Sequence, residues 1–422
     1  MPARGVGTGR VDEKPTVDEQ PTDEACRGRR AAWRRPRRWL FIVAFVALAL
    51  LAAERLTAGF HVLLVANDPH AAMDLLSRRA EVRAWFSGEP VYGHIESARY
   101  PPATYAMLWP LLAWTTPMAA RDLWAVVVVA SSAALIALLL RAARARSVET
   151  RTLVVLTVAS SQAVSYSVAV AQLTVPTVAL VLAGVVLACR RPSSVVRQAG
   201  AGLLLLLALV KPTLTAPLFW VPLLAAANPA ASLAAGGGYA VVTLVAARFQ
   251  GLPFPDLIAA WLASNRTAVI SRGYGNLESW LRGSGVDSWI PAVSMLLLLA
   301  LGGWVWRHRS QDPWWLMAVC AVVARVWTYH QLYDDMLVLV PMAYLLRVAG
   351  DEGHTRRSRV VAGAALLFAW VPFLAPARFL LLPITAEGVL DGVRTASWLL
   401  MLGVVLAVGK LSRQPDEVEL GE

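Results

Sequence analysis

The chain has 422 residues, 57% of them hydrophobic and only 16% charged, with a mean hydropathy of +0.54 and a formal net charge of +11. A water-soluble domain carries charge on about a quarter of its residues, so this composition excludes an ordinary soluble enzyme and indicates an all-α polytopic membrane protein. The positive excess does not point to nucleic acid: the arginines crowd the short segments 27–38, 141–151, 190–197, 307–309 and 356–359 between apolar runs, the pattern that keeps basic loops cytoplasmic.

Taken in chain order, residues 1–37 open with a Pro-, Thr- and acid-rich stretch and read as a disordered, basic cytoplasmic tail. The first apolar run begins too late and is too long for a cleavable signal peptide. A membrane helix needs about 20 mostly apolar residues. Spans are predicted near 39–58, 121–141, 150–167, 172–189, 199–211, 214–227, 231–247, 289–306, 314–328, 334–347, 359–375 and 395–410, about 12 crossings. The transmembrane domain then covers 38–411, and 412–422 is a second cytoplasmic tail. The run 101–117 would upset the alternation of basic loops if it crossed. It is therefore predicted to be shallow or re-entrant, which is tolerated only where protein or water satisfies its backbone. No internal repeat is visible, which gives no support to a transporter built of paired halves.

The same alternation puts the loops 59–102 and 248–288 on the external face, together with Asp74, Tyr100, Gln172, Lys211 and the segment 329–335. Polar groups at the edge of membrane helices are costly and tend to be functional. Helical spacing places Asp74, Arg78, Glu81 and Trp85 on one face and Leu75, Val82 and Phe86 on another, which predicts an amphipathic helix in the outer interface. Asp74 then reads either as half of a solvated pair with Arg78 or as a general base in a partly desolvated cleft. Lys211, after an apolar run and before Pro212, either snorkels to the interface or meets a phosphate as a point charge.

The segment Tyr329-His330-Gln331-Leu332-Tyr333-Asp334-Asp335 gathers aromatic and acidic groups at a membrane boundary. Two adjacent carboxylates could hold a hard cation, but on a helix they point apart, so no metal site is expected. The loop from Trp261 through Ser264, Asn265, Arg266, Arg272, Tyr274 and Asn276 to Trp280 combines aromatic faces with hydrogen-bonding groups, a mixture that suits sugars. Cys26, Cys189 and Cys320 show no C-x-x-C spacing, so neither a disulfide framework nor a zinc site is expected.

Asp74 opening a helix after the first span, Gly88-Glu-Pro-Val-Tyr92, and Tyr100-Pro101-Pro102 follow one another in this order. With Gln172, Lys211-Pro212 and Asn276-Leu-Glu-Ser279 downstream, the chain resembles the polyprenol-phosphate-mannose-dependent α-mannosyltransferases of glycosyltransferase family 87, known from actinobacteria, over roughly residues 38–348. Where many relatives carry paired histidines, this chain has His330 followed by Gln331. The resemblance implies a GT-C-like bundle at the cell membrane and an inverting transfer on its external face. A polyprenyl-phosphate-mannose donor would meet a glycolipid or lipoglycan acceptor there, with no cofactor and no metal. It implies Asp74 as general base, Lys211 with Arg78 or Arg272 at the donor phosphate, and Tyr92, Tyr100, Gln172, Asn276, Tyr329 and His330 around donor or acceptor. Two rivals follow: a polyprenyl-phosphate-pentose (arabinofuranosyl) transferase, and a lipid-linked-glycan flippase or transporter. In a transporter, charged groups should be spread through the midplane, whereas here they gather on one side.

Overall fold

The structure, a computed structural model, describes residues 23–65, 71–266, 275–281, 284–374 and 387–411. Of the tails expected at 1–37 and 412–422, residues 1–22 and 412–422 lie outside the described residues, as do Arg272 and Tyr274, while 23–37, expected as disordered, are helical and open the first helix, Asp23–Leu64. The chain divides into Met1–Ala47 and Leu48–Glu422. The first contributes only the N-terminal part of helix α1, and the second holds the helical bundle.

The described residues are helical, with no strand among them. In order they form α1 (Asp23–Leu64), α2 (Met73–Ser87), α3 (Pro102–Leu112), α4 (Pro117–Ala142), α5 (Val148–Ala159) and α6 (Gln162–Ala169). There follow α7 (Thr174–Cys189), α8 (Val195–Ala208), α9 (Pro212–Leu224), α10 (Ala230–Ala247), α11 (Phe254–Arg266) and α12 (Leu277–Leu281). The last are α13 (Ile290–Arg307), α14 (Pro313–Val326), α15 (Leu339–Gly350), α16 (Arg356–Leu374) and α17 (Glu387–Leu411).

Among the described residues, 6 helices are long and apolar enough to cross a membrane: Phe41–Leu64, Pro117–Ala142, Ala230–Gln250, Asp287–Arg307, Arg356–Leu374 and Gly392–Gly409. The protein is thus a helical membrane protein. The run expected as one span at 150–167 is α5 and α6, bent by 43° at Ser160–Ser161. A buried cation, Arg55, meets the chain at the break. Arg55 of α1 donates to the Ser160 carbonyl and accepts, at its own carbonyl, the Ser165 hydroxyl at 2.7 Å. Ser161 caps the second half by accepting from the Val164 N–H. Backbone groups freed by such a break must find partners inside the protein.

Four further helices, α7, α8, α9 and α14, are apolar but shorter than 18 residues. Two of them are enclosed. Every residue of α14 from Trp315 to Val326 is buried, as is nearly every side of α7. A helix apolar all round belongs in the centre of a bundle. α7 packs on α4, α8 and α9, while α14 packs on α9, α15 and α17. The α14–α17 approach depends on Gly409, where an added Cβ would collide with Trp315 Nε1, the nitrogen that donates to the Val405 carbonyl at 2.8 Å.

The helix α2 differs from the amphipathic interface helix expected from its sequence. Leu75 and Val82 are buried as anticipated, but Arg78, Glu81 and Trp85 on the opposite face are buried too. Only a narrow strip, Met73, Ala80, Arg83 and Ser87, is exposed. The polar face can be enclosed because Arg78 and Glu81 neutralise each other at 2.6 Å and Ser97 donates to Glu81 at 2.6 Å. Trp85 Nε1 donates to the Ala246 carbonyl at 2.9 Å, which ties α2 to α10. Gly88 ends α2 at φ 79, a left-handed cap that glycine adopts without steric cost. The helix α3 has 11 residues, about 16 Å at 1.5 Å per residue, against the roughly 30 Å of a bilayer core. It packs on α2 and α10, its opening residues Pro102–Tyr105 buried and Pro110 and Leu111 near its end exposed.

Candidate active site

Two polar networks meet at the N-terminal end of α7. The first is built on Asp74, in the opening turn of α2. The start of α2 is fixed by backbone bonds to the end of α6: Ala72 N–H donates to Ala169 at 2.9 Å and Asp74 N–H to Val170 at 3.1 Å. Both partners of this junction contain a non-glycine residue with positive φ, Ala72 at 52° and Ala171 at 55°. Local strain of this kind persists only where the surroundings hold it. The turn after Ala171 delivers Gln172, whose Nε2 donates to Asp74 Oδ2 at 2.9 Å. Gln172 Oε1 in turn accepts the Leu173 N–H at 2.8 Å and the Tyr100 hydroxyl at 3.3 Å.

Tyr100 is itself held from three sides. Its carbonyl accepts the Tyr92 hydroxyl at 2.6 Å, and the Arg78 guanidinium lies 4.6 Å over its ring. Arg78 also donates to the Ser97 carbonyl at 2.8 Å. Beneath the preceding residues, Trp261, Ser264 and Asn265 of α11 donate to the carbonyls of Ala98 and Arg99. The aromatic and amide groups of α11 thus grip backbone.

The second network is centred on Asp334, in the 3-10 segment Leu332–Val338 that packs on α6, α7, α14 and α15. Pro212 opens α9, and Lys211 immediately before it is the N-cap, with its preceding carbonyl, that of Val210, bound by Thr104 of α3 at 2.9 Å. From there Lys211 Nζ donates to Asp334 Oδ1 at 2.6 Å and to Thr174 Oγ1 at 3.0 Å. Thr174 donates to Asp334 Oδ1 at 2.9 Å. Asp334 Oδ2 accepts the Gln331 N–H at 3.1 Å and faces His330 Nδ1 at 3.1 Å. Asp335, its neighbour, turns to Arg325 at 2.6 Å instead. The two carboxylates thus point apart onto different helices. Among the described residues no group of three or more His, Cys, Asp and Glu side chains could hold a metal ion.

The electrostatics follow from this enclosure. α2 and the 329–338 segment lie between the candidate spans. Burial pushes the Asp74 carboxyl above its ordinary range; Arg78 and Lys211 pull it back, and Asp334 adds to the rise. Burial would also raise Asp334, but the Lys211 ammonium and His330 hold it well below the usual carboxylate range. Burial lowers His330 despite Asp334, so the ring is neutral at physiological pH. An ionised Asp334 has no proton to give, which makes Nδ1 the protonated nitrogen of His330. Nε2 is then a buried acceptor with no hydrogen-bond partner among the described residues.

The structure therefore brings Asp74, Arg78, Tyr92, Tyr100 and Gln172 into one connected network, and Lys211 and His330 into another. Asn276 joins the second through its Nδ2, which donates to the His330 carbonyl at 3.0 Å, while its Oδ1 accepts the Ser279 N–H. Both ends of that amide are thus engaged within the protein. Tyr329 is half-buried and its hydroxyl contacts Gln331. Thr174, Glu81 and Ser97 were not singled out by sequence. A threonine opening an apolar helix carries no signal by itself, and in the sequence Glu81 stands only as a charge on the Asp74 face of α2.

Compared with known families, the chain matches glycosyltransferase family 87 over residues 99–328. The chain belongs to glycosyltransferase family 87. It is therefore a membrane glycosyltransferase, with a sugar donor and a lipid acceptor as the substrates its helical bundle suggests. No curated protein and no solved structure matches it. The family match begins at Arg99 and takes in Tyr100, Gln172, Lys211 and Asn276. Asp74, Arg78 and Tyr92 precede it, and His330 and Asp334 follow it, yet all pack against residues inside it.

Proposed function

We propose that this glycosyltransferase moves mannose from a polyprenyl-phosphate donor to a glycolipid or lipoglycan on the external face of the cell membrane, with Asp74 as general base. The observation that carries this reading is the half-buried Asp74 carboxylate, held at one oxygen by Gln172 and flanked by the cations Arg78 and Lys211. The reaction is a single displacement. An acceptor hydroxyl gives its proton to Asp74 as its oxygen bonds to the anomeric carbon. The bond from that carbon to the phosphate oxygen breaks, and its electron pair leaves with the polyprenyl phosphate.

Lys211 is already paired with Asp334, but an ammonium has three donors, and among the described residues it makes two hydrogen bonds, to Thr174 and Asp334, while its Nζ lies 4.6 Å over the Tyr333 ring. The remaining N–H can reach a phosphate oxygen, and electrostatic stabilisation of a departing anion is commonly what lowers such a barrier most. His330 Nε2 is an acceptor left over inside the protein, and a substrate hydroxyl would meet it only once the segment over it opens. In this reading α7, α8, α9, α14 and α15 also cross, with the bent α5–α6 pair, which gives about 12 crossings in a GT-C-like bundle. The short α3, packed on α2 and α10, is its re-entrant helix.

A direct test supplies purified protein in lipid with radiolabelled polyprenyl-phosphate mannose or polyprenyl-phosphate arabinofuranose, and a total glycolipid extract from the producing cells. Label should appear in glycolipid from the mannose donor at least about 10-fold faster than from the pentose, a discrimination available to a site that pairs with each hydroxyl. Faster transfer from the pentose donor would reassign the sugar. Movement of donor across the bilayer without any new glycosidic bond would make the protein a flippase.

A further inference from the structure

We infer that Gln172 is a positioning residue that fixes the orientation and protonation state of Asp74, and that Tyr100 locks Gln172 in place. This inference rests on the reading of Asp74 as the base. Gln172 and Tyr100 thereby move from the substrate-contacting set to the frame that aims the base.

The orientation of the Gln172 amide is decided by its neighbours. The two ends of a glutamine side chain differ only in what they can donate or accept. Oε1 of Gln172 receives the Leu173 N–H at 2.8 Å, a backbone donor that cannot turn away, and the Tyr100 hydroxyl at 3.3 Å. The nitrogen end must therefore face Asp74, where it lies 2.9 Å from Oδ2. A group that can only donate favours the charged carboxylate over the neutral acid. It also occupies Oδ2 and leaves the other carboxylate oxygen as the one that takes up the proton.

The lock reaches further back through groups that serve it. Arg78 stacks on the Tyr100 ring and is itself pinned by Glu81 at 2.6 Å and by the Ser97 carbonyl. Tyr92 fixes the Tyr100 backbone. Gln172 is 3% exposed and its amide is already committed on three sides, so it has little left to offer a substrate. The charged and titratable groups that face Asp74 are Arg78 and Glu81 on α2, Tyr100 before α3, Lys211 before α9, and Tyr333 and Asp334 on the 3-10 segment. Gln172 is the member of this ring that does not titrate, and its hydrogen bond reaches the carboxylate itself.

The experiment measures turnover at saturating donor, donor KM and the pH profile, with whichever labelled donor the wild-type protein uses and the glycolipid extract as acceptor. For Gln172→Ala, turnover should fall by about 10- to 100-fold, since a hydrogen bond to a charged group contributes on that scale. Donor KM should stay within about twofold, because the lost interaction acts on the base and not on ground-state binding. The acid limb of the turnover profile should move up by about one pH unit, as the carboxylate loses a donor.

Gln172→Glu should move that limb further, because a second carboxyl then faces Asp74. Tyr100→Phe keeps the ring on Arg78 and removes only the hydroxyl, so it should move the limb in the same direction by less. These two near-isosteric variants carry the test if Gln172→Ala does not fold. Unchanged turnover and pH limb in Gln172→Glu and Tyr100→Phe, with Asp74→Asn inactive, would overturn the inference and leave Asp74 as the base. A raised donor KM with an unmoved pH limb would also overturn it, by making Gln172 a substrate contact. Full activity in Asp74→Asn would remove the base itself, and the positioning role with it.

Discussion

Asp74→Asn should lower sugar transfer by about 100- to 10,000-fold, the range general-base catalysis supplies, with little loss of stability. The change is nearly isosteric, and the new side-chain carbonyl can still accept from Gln172 Nε2 where Oδ2 now does at 2.9 Å. Nor does it strand a charge, because Arg78 keeps Glu81 and Lys211 keeps Asp334. The pH dependence has a definite sign. With Asp74 as the proposed base, transfer needs its ionised carboxylate, and burial raises Asp74 above the ordinary carboxylate range. Wild-type transfer should therefore be complete above that raised value and decline as pH falls through it. The check is turnover against pH for both proteins, with thermal unfolding in detergent measured alongside. A near-wild-type rate for Asp74→Asn at normal protein levels removes Asp74 from the chemistry.

The second large effect belongs to the buried Lys211–Asp334 pair. Removing one partner of such a pair strands the other and costs about 3–5 kcal/mol. Asp334→Ala would leave the Lys211 ammonium with Thr174 alone and take the acceptor away from the Gln331 N–H and His330 Nδ1. Lys211→Met should destabilise for the mirror-image reason. The combination Lys211→Met with Asp334→Leu should recover only the part lost by stranding a charge, since a buried ion pair exchanged for apolar groups of similar size is often neutral, while the Gln331 N–H, His330 Nδ1 and the Thr174 hydroxyl still lose their acceptor. It should nevertheless stay inactive if Lys211 meets the donor phosphate. Thermal unfolding midpoints and transfer rates for the three variants separate these roles. Restored transfer in the double variant would mean that the Lys211 charge serves the fold and not the donor.

Sequence carried the long apolar helices well, because hydropathy depends on composition along one stretch of chain. Phe41–Leu64, Pro117–Ala142 and Ala230–Gln250 all lie where apolar runs predicted them. The break at Ser160–Ser161 is not legible in hydropathy, and the carbonyl it frees finds its partner in Arg55 on another helix. Lys211 stood out as a cation in apolar surroundings that needed a partner, but its partner lies 123 positions away. Asp334 looked from sequence like half of an acidic pair, and only the fold turns it away from Asp335. The same holds for α2. Spacing gave its faces correctly, yet the enclosure of the Arg78–Glu81 face depends on Ser97 and α10, which spacing does not reveal. Asp74 and Gln172 were each singled out, but the bond between them spans 98 positions and required the α6–α7 turn to be built first.

Transfer by one displacement at the anomeric carbon, driven by one carboxylate base, is tested most directly by the configuration of the sugar in the product. NMR determines that configuration after transfer from a donor of known anomeric form. A single displacement predicts inversion relative to the donor. Retention would require a second displacement and a covalent or equivalent intermediate, and would contradict the role assigned to Asp74.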